Sequence, residues 1–217
     1  LEAELAMRIL FLTQVLPYPL DAGPKVRAYY VLRHLAQHGE VTLISFCRAS
    51  DSPDAVEHLR RFCSKVVTVP ISRPPLLDAW YLIWSIITGR PFLIVRDWRK
   101  QMMRVIEHEV STSGVFDIIH ADQLWMAPYA LGAREAHPKA QQPRTILDQH
   151  NAVYLIPARL AQGTRNSLKQ AFLRREAKRL ARYESTICER FDRTVFVSQQ
   201  DRSALEAAGF ASRSPER

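Results

Sequence analysis

The sequence predicts an α/β fold in which a parallel sheet carries helices on both faces. Short β-branched and aliphatic runs recur along the chain with helical stretches between them, and this alternation is typical of a doubly wound sheet. The long connections exclude simple hairpins between consecutive strands. The runs are Arg8–Thr13, Val41–Phe46, Val66–Val69, Asp117–His120, Thr145–Asp148 and Arg193–Val197.

The first helix is predicted between the first two strands. Pro24 suits the first helical position, because its missing N–H costs nothing there. Gly39 is expected to close this helix as the residue after its C-cap. Pro53–Phe62 is a second, short helix, and Arg99–Val110 is another.

The segment between Asp78 and Gly89 is apolar on every side of a helical wheel. Asp78 can cap it and Gly89 can end it, while Trp80 and Trp84 fall on one face. A helix that is apolar all round is either buried or in contact with lipid or a partner. We expect burial beneath loops, with lipid contact as the alternative.

Asn166–Phe191 is predicted to be one long helix with a basic face. Glu176 and Glu184 lie within or beside its apolar stripe, where a carboxylate normally needs a partner. We expect each to pair with a neighbouring arginine or to cap a loop. The basic face is either its solvated side or a contact for anionic lipid head groups, and it comprises Arg174, Arg175, Lys178 and Arg182.

Composition limits the class of partner and the compartment. The 217 residues carry a net charge of +8, which favours an anionic partner, although a basic solvated surface explains it equally well. No recognised nucleic-acid motif is present, so nucleic acid is the weakest candidate. Three widely spaced cysteines without a CxxC pair indicate free thiols in a reducing compartment. No apolar stretch approaches the ~20 residues of a membrane-spanning helix.

The strand order 3-2-1-4-5-6 is common for such sheets, and their ligands bind where the strand order reverses. That point lies between strands one and four. The loop after strand one delivers Gly23 to a helix N-terminus, where exposed N–H groups favour a phosphate. Lys25 and Arg27 add positive charge. The GxGxxG and Walker A patterns are absent, and a tight turn is the structural alternative for Gly23.

Histidines follow the next two strands along the sheet. His120 ends strand four, two residues before Asp122, and can act as a base or orient a sugar hydroxyl. His150 and Asn151 directly follow strand five and are candidates for the same roles. A histidine satisfied by backbone hydrogen bonds is the alternative. The spacing of His, Asp and Glu does not resemble a metal site, and we predict none.

Four segments together resemble the N-terminal, acceptor-side domain of family 4 (group 1) glycosyltransferases. They are MRILFLTQVLPYPLDAGPKVRAYYVLRHLAQHGEVTLISF (residues 7–46), FDIIHADQLWMAPYA, TILDQHNAVYL and FDRTVFVSQQDRSAL, in the order expected for strands one, four, five and six. Their order and spacing are more specific than any single motif. The set is similar to sugar transferases of bacterial exopolysaccharide systems.

The resemblance implies one half of a GT-B architecture, with a Rossmann-like domain over residues 7–210. Residues 1–6 are interpreted as a tag or an upstream extension, and residues 211–217 as a tail or the start of a linker. The C-terminal motifs that hold the donor in this family are not present in the sequence. An isolated acceptor-side domain is therefore expected to be inactive alone.

Residue roles also follow from the resemblance. Gly23 would approach the diphosphate of a nucleotide-sugar donor, and His120 would sit near the reacting sugar as the catalytic residue. The remaining candidates would line the side of a glycan or lipid-linked acceptor: Asp21, Lys25, Arg27, Asp122, His150 and Asn151.

The reaction implied is retaining and independent of metal, with the nucleotide sugar as co-substrate and no cofactor. We expect a cytoplasmic protein, with peripheral contact at the inner face of an anionic membrane as an option. The alternative is a stand-alone module that binds a phosphorylated sugar or an anionic membrane without catalysis.

Overall fold

The computed structural model describes residues 6–72 and 74–211, so most of the predicted N-terminal extension and tail lies outside the described residues. Strands and helices alternate along the chain. The strands are β1 (Met7–Thr13), β2 (Gly39–Cys47), β3 (Lys65–Pro70), β4 (Ile118–Asp122), β5 (Arg144–Gln149) and β6 (Arg193–Phe196). The helices are α1 (Gly23–Leu35), α2 (Pro53–Arg60), α3 (Pro75–Thr88), α4 (Phe92–Asp97), α5 (Lys100–Ser113), α6 (Ala127–Ala136), α7 (Leu155–Gly163), α8 (Ser167–Glu189) and α9 (Gln199–Ala207).

The six strands follow the order β3-β2-β1-β4-β5-β6, which confirms the predicted doubly wound α/β sheet. β1 pairs in parallel with β2 and β4, and β2 pairs in parallel with β3. β1 is therefore an interior strand, and the strand order reverses between β1 and β4. Each strand boundary lies within two residues of its prediction from sequence.

The chain divides into two compact units. The first comprises Leu1–Ser72 and Arg99–Leu147, and the second comprises Arg73–Trp98 and Asp148–Arg217. The first unit holds β1–β4 with α1, α2, α5 and α6, and the second holds α3, α4, α7–α9 and β6. One domain over residues 7–210 remains a prediction.

In the first unit, helices pack on both faces of the strands, as predicted. Phe11 of β1 and Leu32 of α1 belong to a buried apolar cluster that also includes residues of α2. On the opposite face, the ring of Phe46 in β2 lies edge-on to Tyr129 of α6 at a centroid distance of 5.9 Å. Alternate residues of a strand point to opposite faces, so both faces are covered by helices.

In the second unit, α8 is the longest helix and packs against α7 and α9. The Asn166 side chain caps it by accepting a hydrogen bond of 2.9 Å from the Lys169 N–H. Asn166 was expected to be the first helical residue and is instead its N-cap. The four basic residues predicted to share one face are all exposed: Arg174, Arg175, Lys178 and Arg182.

The prediction that Gly39 ends the first helix was wrong. The helix ends at Leu35, and Gly39 is the first residue of β2, in register with Met7. A Cβ atom on Gly39 would lie 2.2 Å from the Met7 carbonyl oxygen. The glycine is therefore explained by the close approach of β2 to β1.

The prediction that α3 is buried was also wrong. Gly89 ends the helix in a left-handed conformation, as expected, but the helix begins at Pro75, so Asp78 lies within its first turn. The side chains of Trp80 and Ile87 are 59% and 70% exposed. Periodicity showed that every side of α3 is apolar, but it could not show that the described residues leave much of this helix exposed.

Cys47, Cys63 and Cys188 are free thiols, as their number and spacing predict. Burial raises the pKa of both Cys63 and Cys188 to about 12, so these two thiols are structural rather than reactive. Within the described residues, no helix is both long enough and apolar enough to cross a membrane.

Candidate functional site

The carboxyl ends of β1 and β4 lie side by side. Thr13, the last residue of β1, is in register with Asp122, the last residue of β4. Ligands of doubly wound sheets bind outside the carboxyl ends of the strands where the order reverses. The loops that leave Thr13 and Asp122 therefore form the candidate site in the first unit.

The loop from β1 to α1 is anchored in the core. Leu16 is fully buried, and the ring of Tyr18 stacks on His58 of α2 at 4.0 Å. The Nε2 atom of His58 also lies 2.9 Å from the hydroxyl of Tyr29 in α1. These contacts fix the loop before it reaches the start of α1.

Gly23 lies at the N-terminus of α1, as predicted, but it is itself the first helical residue, so Pro24 is the second and Ala22 is the N-cap. No side chain caps this N-terminus. A Cβ atom on Gly23 would meet nothing within 4 Å, and the residue does not have a positive φ. Apart from Pro24, whose ring disfavours a side chain on the preceding helical residue, no neighbour requires a glycine here. The open N-terminus can accept an anion through its exposed N–H groups.

Two of the predicted acceptor residues contact each other at this N-terminus. The Nζ atom of Lys25 lies 3.0 Å from Oδ1 of Asp21, one helical turn earlier. The Asp21 side chain is exposed, whereas that of Lys25 is mostly covered. Arg27 is partly buried on the next turn of α1. The pair gives the start of α1 both a donor and an acceptor for a sugar hydroxyl.

His120 lies within β4 and is 5% exposed. Its ring stacks on Phe11 of β1 at a centroid distance of 4.6 Å and an interplanar angle of 7°. Phe11 belongs to the apolar cluster beneath α1. The imidazole therefore has a packing role, and any catalytic role requires a substrate to reach a largely buried ring.

The residue that follows Asp122 has an unusual backbone, which the sequence did not reveal. Asp122 is fully buried at the end of β4. Gln123 then adopts φ 71° and ψ 161°, a region that side chains other than glycine rarely occupy. The side-chain Nε2 atom of Gln123 lies 3.5 Å from Oδ2 of Asp122. Strained residues of this kind concentrate at functional sites. We therefore add Gln123 to the candidate site residues.

The loop after β5, in the second unit, carries His150 and Asn151 and is held from α8. Asn151 is exposed and His150 is partly buried. The carboxylate of Glu184 is fully buried, and it accepts hydrogen bonds from the Val153 and Tyr154 N–H groups, each at 2.7 Å. This confirms the expectation that Glu184 caps a loop.

Two further groups complete the support of this loop. The Nε2 atom of Gln149 donates to Glu184 at 2.6 Å, and the Ala152 N–H donates to Oδ1 of Asp201 at 2.9 Å. Burial raises the pKa of Glu184 to about 8, against the lowering effect of the Tyr154 and Val153 amides and of Gln149. The loop that presents His150 and Asn151 is therefore fixed by two carboxylates from later helices.

Comparison with known proteins supports one family. The model of Glycosyltransferase Family 4 matches residues 22–215. No curated protein matches the chain. Among solved structures, the chain is similar to an NADH-dependent reductase, A1-R′, complexed with NAD, with 9% identity over 91% of this chain and 97% of that chain. The TM-score of that comparison is 0.35, too low to bear on fold or function. Because the family match spans most of the sequence, the chain belongs to glycosyltransferase family 4.

Proposed function

We propose that this chain is the acceptor-side half of a GT-B glycosyltransferase, which moves a sugar from a nucleotide-sugar donor to a glycan or lipid-linked acceptor. Family membership supports glycosyl transfer in general. The six-stranded doubly wound sheet agrees with one Rossmann-like half of such an enzyme. The proposed reaction retains the anomeric configuration and needs neither a metal ion nor another cofactor.

The geometry at the start of α1 is the main support for this proposal. Gly23 opens the helix where the strand order reverses, and beyond the adjacent residues nothing lies within 4 Å of its absent Cβ. A diphosphate that approaches the backbone closely would explain a glycine here, since the N–H groups and the helix dipole favour negative charge. We therefore assign Gly23 to the donor diphosphate.

The other candidates follow from their places around the strand ends. Asp21, Lys25 and Arg27 lie at the start of α1, and Asp122 ends the neighbouring β4. We assign these four to the acceptor. His150 and Asn151, on the loop after β5 in the second unit, are proposed as acceptor residues on the resemblance of their sequence segment alone. His120 is assigned to proton transfer at the reacting sugar. Because this ring is buried and stacked on Phe11, His120→Phe is the variant that separates proton transfer from packing.

A location at the inner face of the membrane would suit a lipid-linked acceptor, for example in exopolysaccharide synthesis. Six large apolar side chains of α3 are exposed, and Trp and Tyr rings favour the membrane interface. The exposed cations of α8 would add ~1 kcal/mol each near an anionic surface. The six are Leu77, Trp80, Ile83, Trp84, Ile86 and Ile87.

The second candidate function is a binding module without catalysis, for a phosphorylated sugar or for an anionic membrane. The exposed apolar face of α3 favours the membrane version. Sedimentation with neutral and anionic vesicles tests it directly. Binding to neither would remove membrane contact from both functions, and equal binding to both would remove the preference for an anionic membrane.

Transfer assays with residues 1–217 test the leading proposal. We expect no nucleotide release from UDP- or GDP-sugars, because a GT-B centre needs a second Rossmann-like half. Chemical shifts of residues 21–27 should nonetheless move when a glycan or lipid-linked glycan acceptor is added. In a transfer-competent enzyme with this domain, EDTA should leave the rate unchanged. Robust turnover by residues 1–217 alone would contradict the acceptor-half assignment.

A further inference from the structure

A groove lies between α3 and α8 in the second unit. Its volume is about 210 Å³, and its walls are formed by Ile86, Ala171, Phe172, Arg175, Glu176 and Arg179. Small-molecule sites typically measure ~300–1,000 Å³. The groove is thus too small for a nucleotide sugar, and it suits a segment of a larger ligand.

The lining combines an apolar wall with two cations. Ile86, Ala171 and Phe172 form the wall. Arg175 and Arg179 are one helical turn apart on α8, so their guanidinium groups lie on the same side of the helix. Arg179 uses one nitrogen to donate to the Ser85 carbonyl at 3.3 Å, which fixes its position beside α3. A ligand that matches this lining is an anion with an apolar chain.

Glu176 supplies an unsatisfied polar group in the same groove. The residue is 4% exposed, and its Oε1 atom has no hydrogen-bond partner among the described residues. Burial raises the pKa of Glu176, although the Phe92 and Leu93 amides and Arg179 oppose that rise. An unpaired buried oxygen is costly. This oxygen lies beneath the surface of the groove, and the raised pKa of Glu176 reduces its repulsion of a phosphate held by the arginines.

The exposed apolar face of α3 indicates that such a ligand would come from a membrane. The rings of Trp80 and Trp84 lie in a stacked arrangement 6.5 Å apart on this helix, and Ile83 and Ile87 beside them are at least half exposed. Exposed Trp and aliphatic side chains favour insertion at the membrane interface, and nearby cations strengthen that attraction when the lipid is anionic. Ile86 of the same helix forms part of the groove, so the groove would open among lipid molecules.

We propose that this groove binds one anionic phospholipid. Arg175 and Arg179 hold the phosphate, and an acyl chain lies along Ile86 and Phe172. The proposal concerns a lipid site rather than glycosyl transfer, so it does not depend on the proposed reaction.

Titration of residues 1–217 with a monomeric, short-chain phosphatidylglycerol tests the site without a bilayer. The double substitution Arg175→Ala/Arg179→Ala should weaken binding by about 10- to 100-fold, because charge-assisted hydrogen bonds to the phosphate are lost. The control Arg174→Ala/Arg182→Ala removes the same charge from exposed positions of α8 that do not line the groove. It should change the affinity by less than about threefold.

A second variant keeps both arginines. Ala171→Trp fills the groove from an exposed position and should prevent binding, while Ala207→Trp on α9 should not. Far-UV circular dichroism and thermal unfolding confirm that each variant is folded. Equal effects of the two arginine pairs, or unchanged binding by Ala171→Trp, would overturn the lipid site. So would displacement of the lipid by inorganic phosphate at the same concentration, since that would indicate a simple phosphate site.

Vesicle sedimentation separates the groove from general attraction to a charged surface. Vesicles of phosphatidylglycerol and phosphatidylcholine should bind the protein, and pure phosphatidylcholine vesicles should bind it weakly. In the mixed vesicles, the Arg175/Arg179 pair should matter more than the Arg174/Arg182 pair. If the monomeric lipid does not bind while mixed vesicles do, the groove proposal fails and the membrane contact of α3 stands.

Discussion

Thr13 and Asp122 are register partners at the carboxyl ends of two neighbouring parallel strands. This relationship places the loop that leads to Gly23 beside the turn at Gln123. A doubly wound sheet exposes such a crevice where its strand order reverses, and the family 4 match assigns this chain to enzymes that transfer sugars.

Glu184→Gln is expected to lower the free energy of unfolding by about 1–3 kcal/mol, because an amide cannot accept all three hydrogen bonds that the buried carboxylate receives. Urea unfolding measures this change. Glu206→Gln, at an exposed ion pair on α9, is the control and should cost less than about 0.5 kcal/mol. Equal costs for the two variants would mean that the loop after β5 does not depend on Glu184.

The same residue predicts a pH dependence of stability. Burial raises the pKa of Glu184 to about 8, whereas the unfolded carboxyl titrates near ~4.3. The folded protein therefore keeps this proton to a higher pH, so its stabilising contribution is complete below ~4.3 and is lost as the pH rises through about 8. Unfolding free energies of the unaltered protein should fall more steeply over this window than those of Glu184→Gln. Parallel curves would contradict the raised pKa.

Gln123→Gly is expected to raise the free energy of unfolding by about 1 kcal/mol. Relief of the strained backbone is worth about 1–3 kcal/mol, and glycine loses part of this gain through its greater freedom in the unfolded chain. Gln123→Ala keeps the unfavourable φ and should not stabilise the protein. Thermal unfolding compares the two. If alanine stabilises as much as glycine does, the side chain rather than the backbone is responsible.

His120 requires variants that separate packing from chemistry. His120→Ala should lower the free energy of unfolding by about 2 kcal/mol, because it removes a buried ring stacked on Phe11. His120→Phe keeps a stacked ring and should restore most of this stability, yet it cannot transfer a proton. In a transfer-competent enzyme it should reduce turnover by ~10²–10⁴-fold with nearly unchanged nucleotide affinity. A fall of less than about threefold would leave His120 as a packing residue.

The sequence predicted the sheet well because strand and helix periods are local. Alternating apolar runs located all six strands, and a parallel sheet with long crossovers left few choices of order. Gly39 was misassigned because a glycine after a helix suits both a helix C-terminus and a close strand contact. Only the position of Met7 across the sheet distinguishes them.

The support of the site was less predictable because it depends on distant partners. The backbone N–H groups that donate hydrogen bonds to Glu184 lie about 30 residues earlier in the chain. The sequence pattern of α8 does not identify them. The strained backbone of Gln123 could not be predicted from the sequence, because glutamine is not one of the residues that typically adopt a positive φ. The exposure of α3 depends on what the rest of the chain leaves uncovered.

The most direct test of the central assignment is donor affinity after Gly23→Val in a transfer-competent enzyme that carries this domain. Beyond the adjacent residues, a Cβ atom at position 23 would meet no atom of the protein within 4 Å, so the only expected loss of thermal stability is the local cost of a side chain before Pro24. Gly163→Val, at an equally open glycine that ends α7, is the matched control. We predict that Gly23→Val weakens nucleotide-sugar binding by about tenfold or more, because a side chain blocks the approach of the diphosphate to the helix N-terminus, while the control binds normally. Donor affinity that is the same in both variants and in the unaltered enzyme would contradict the assignment.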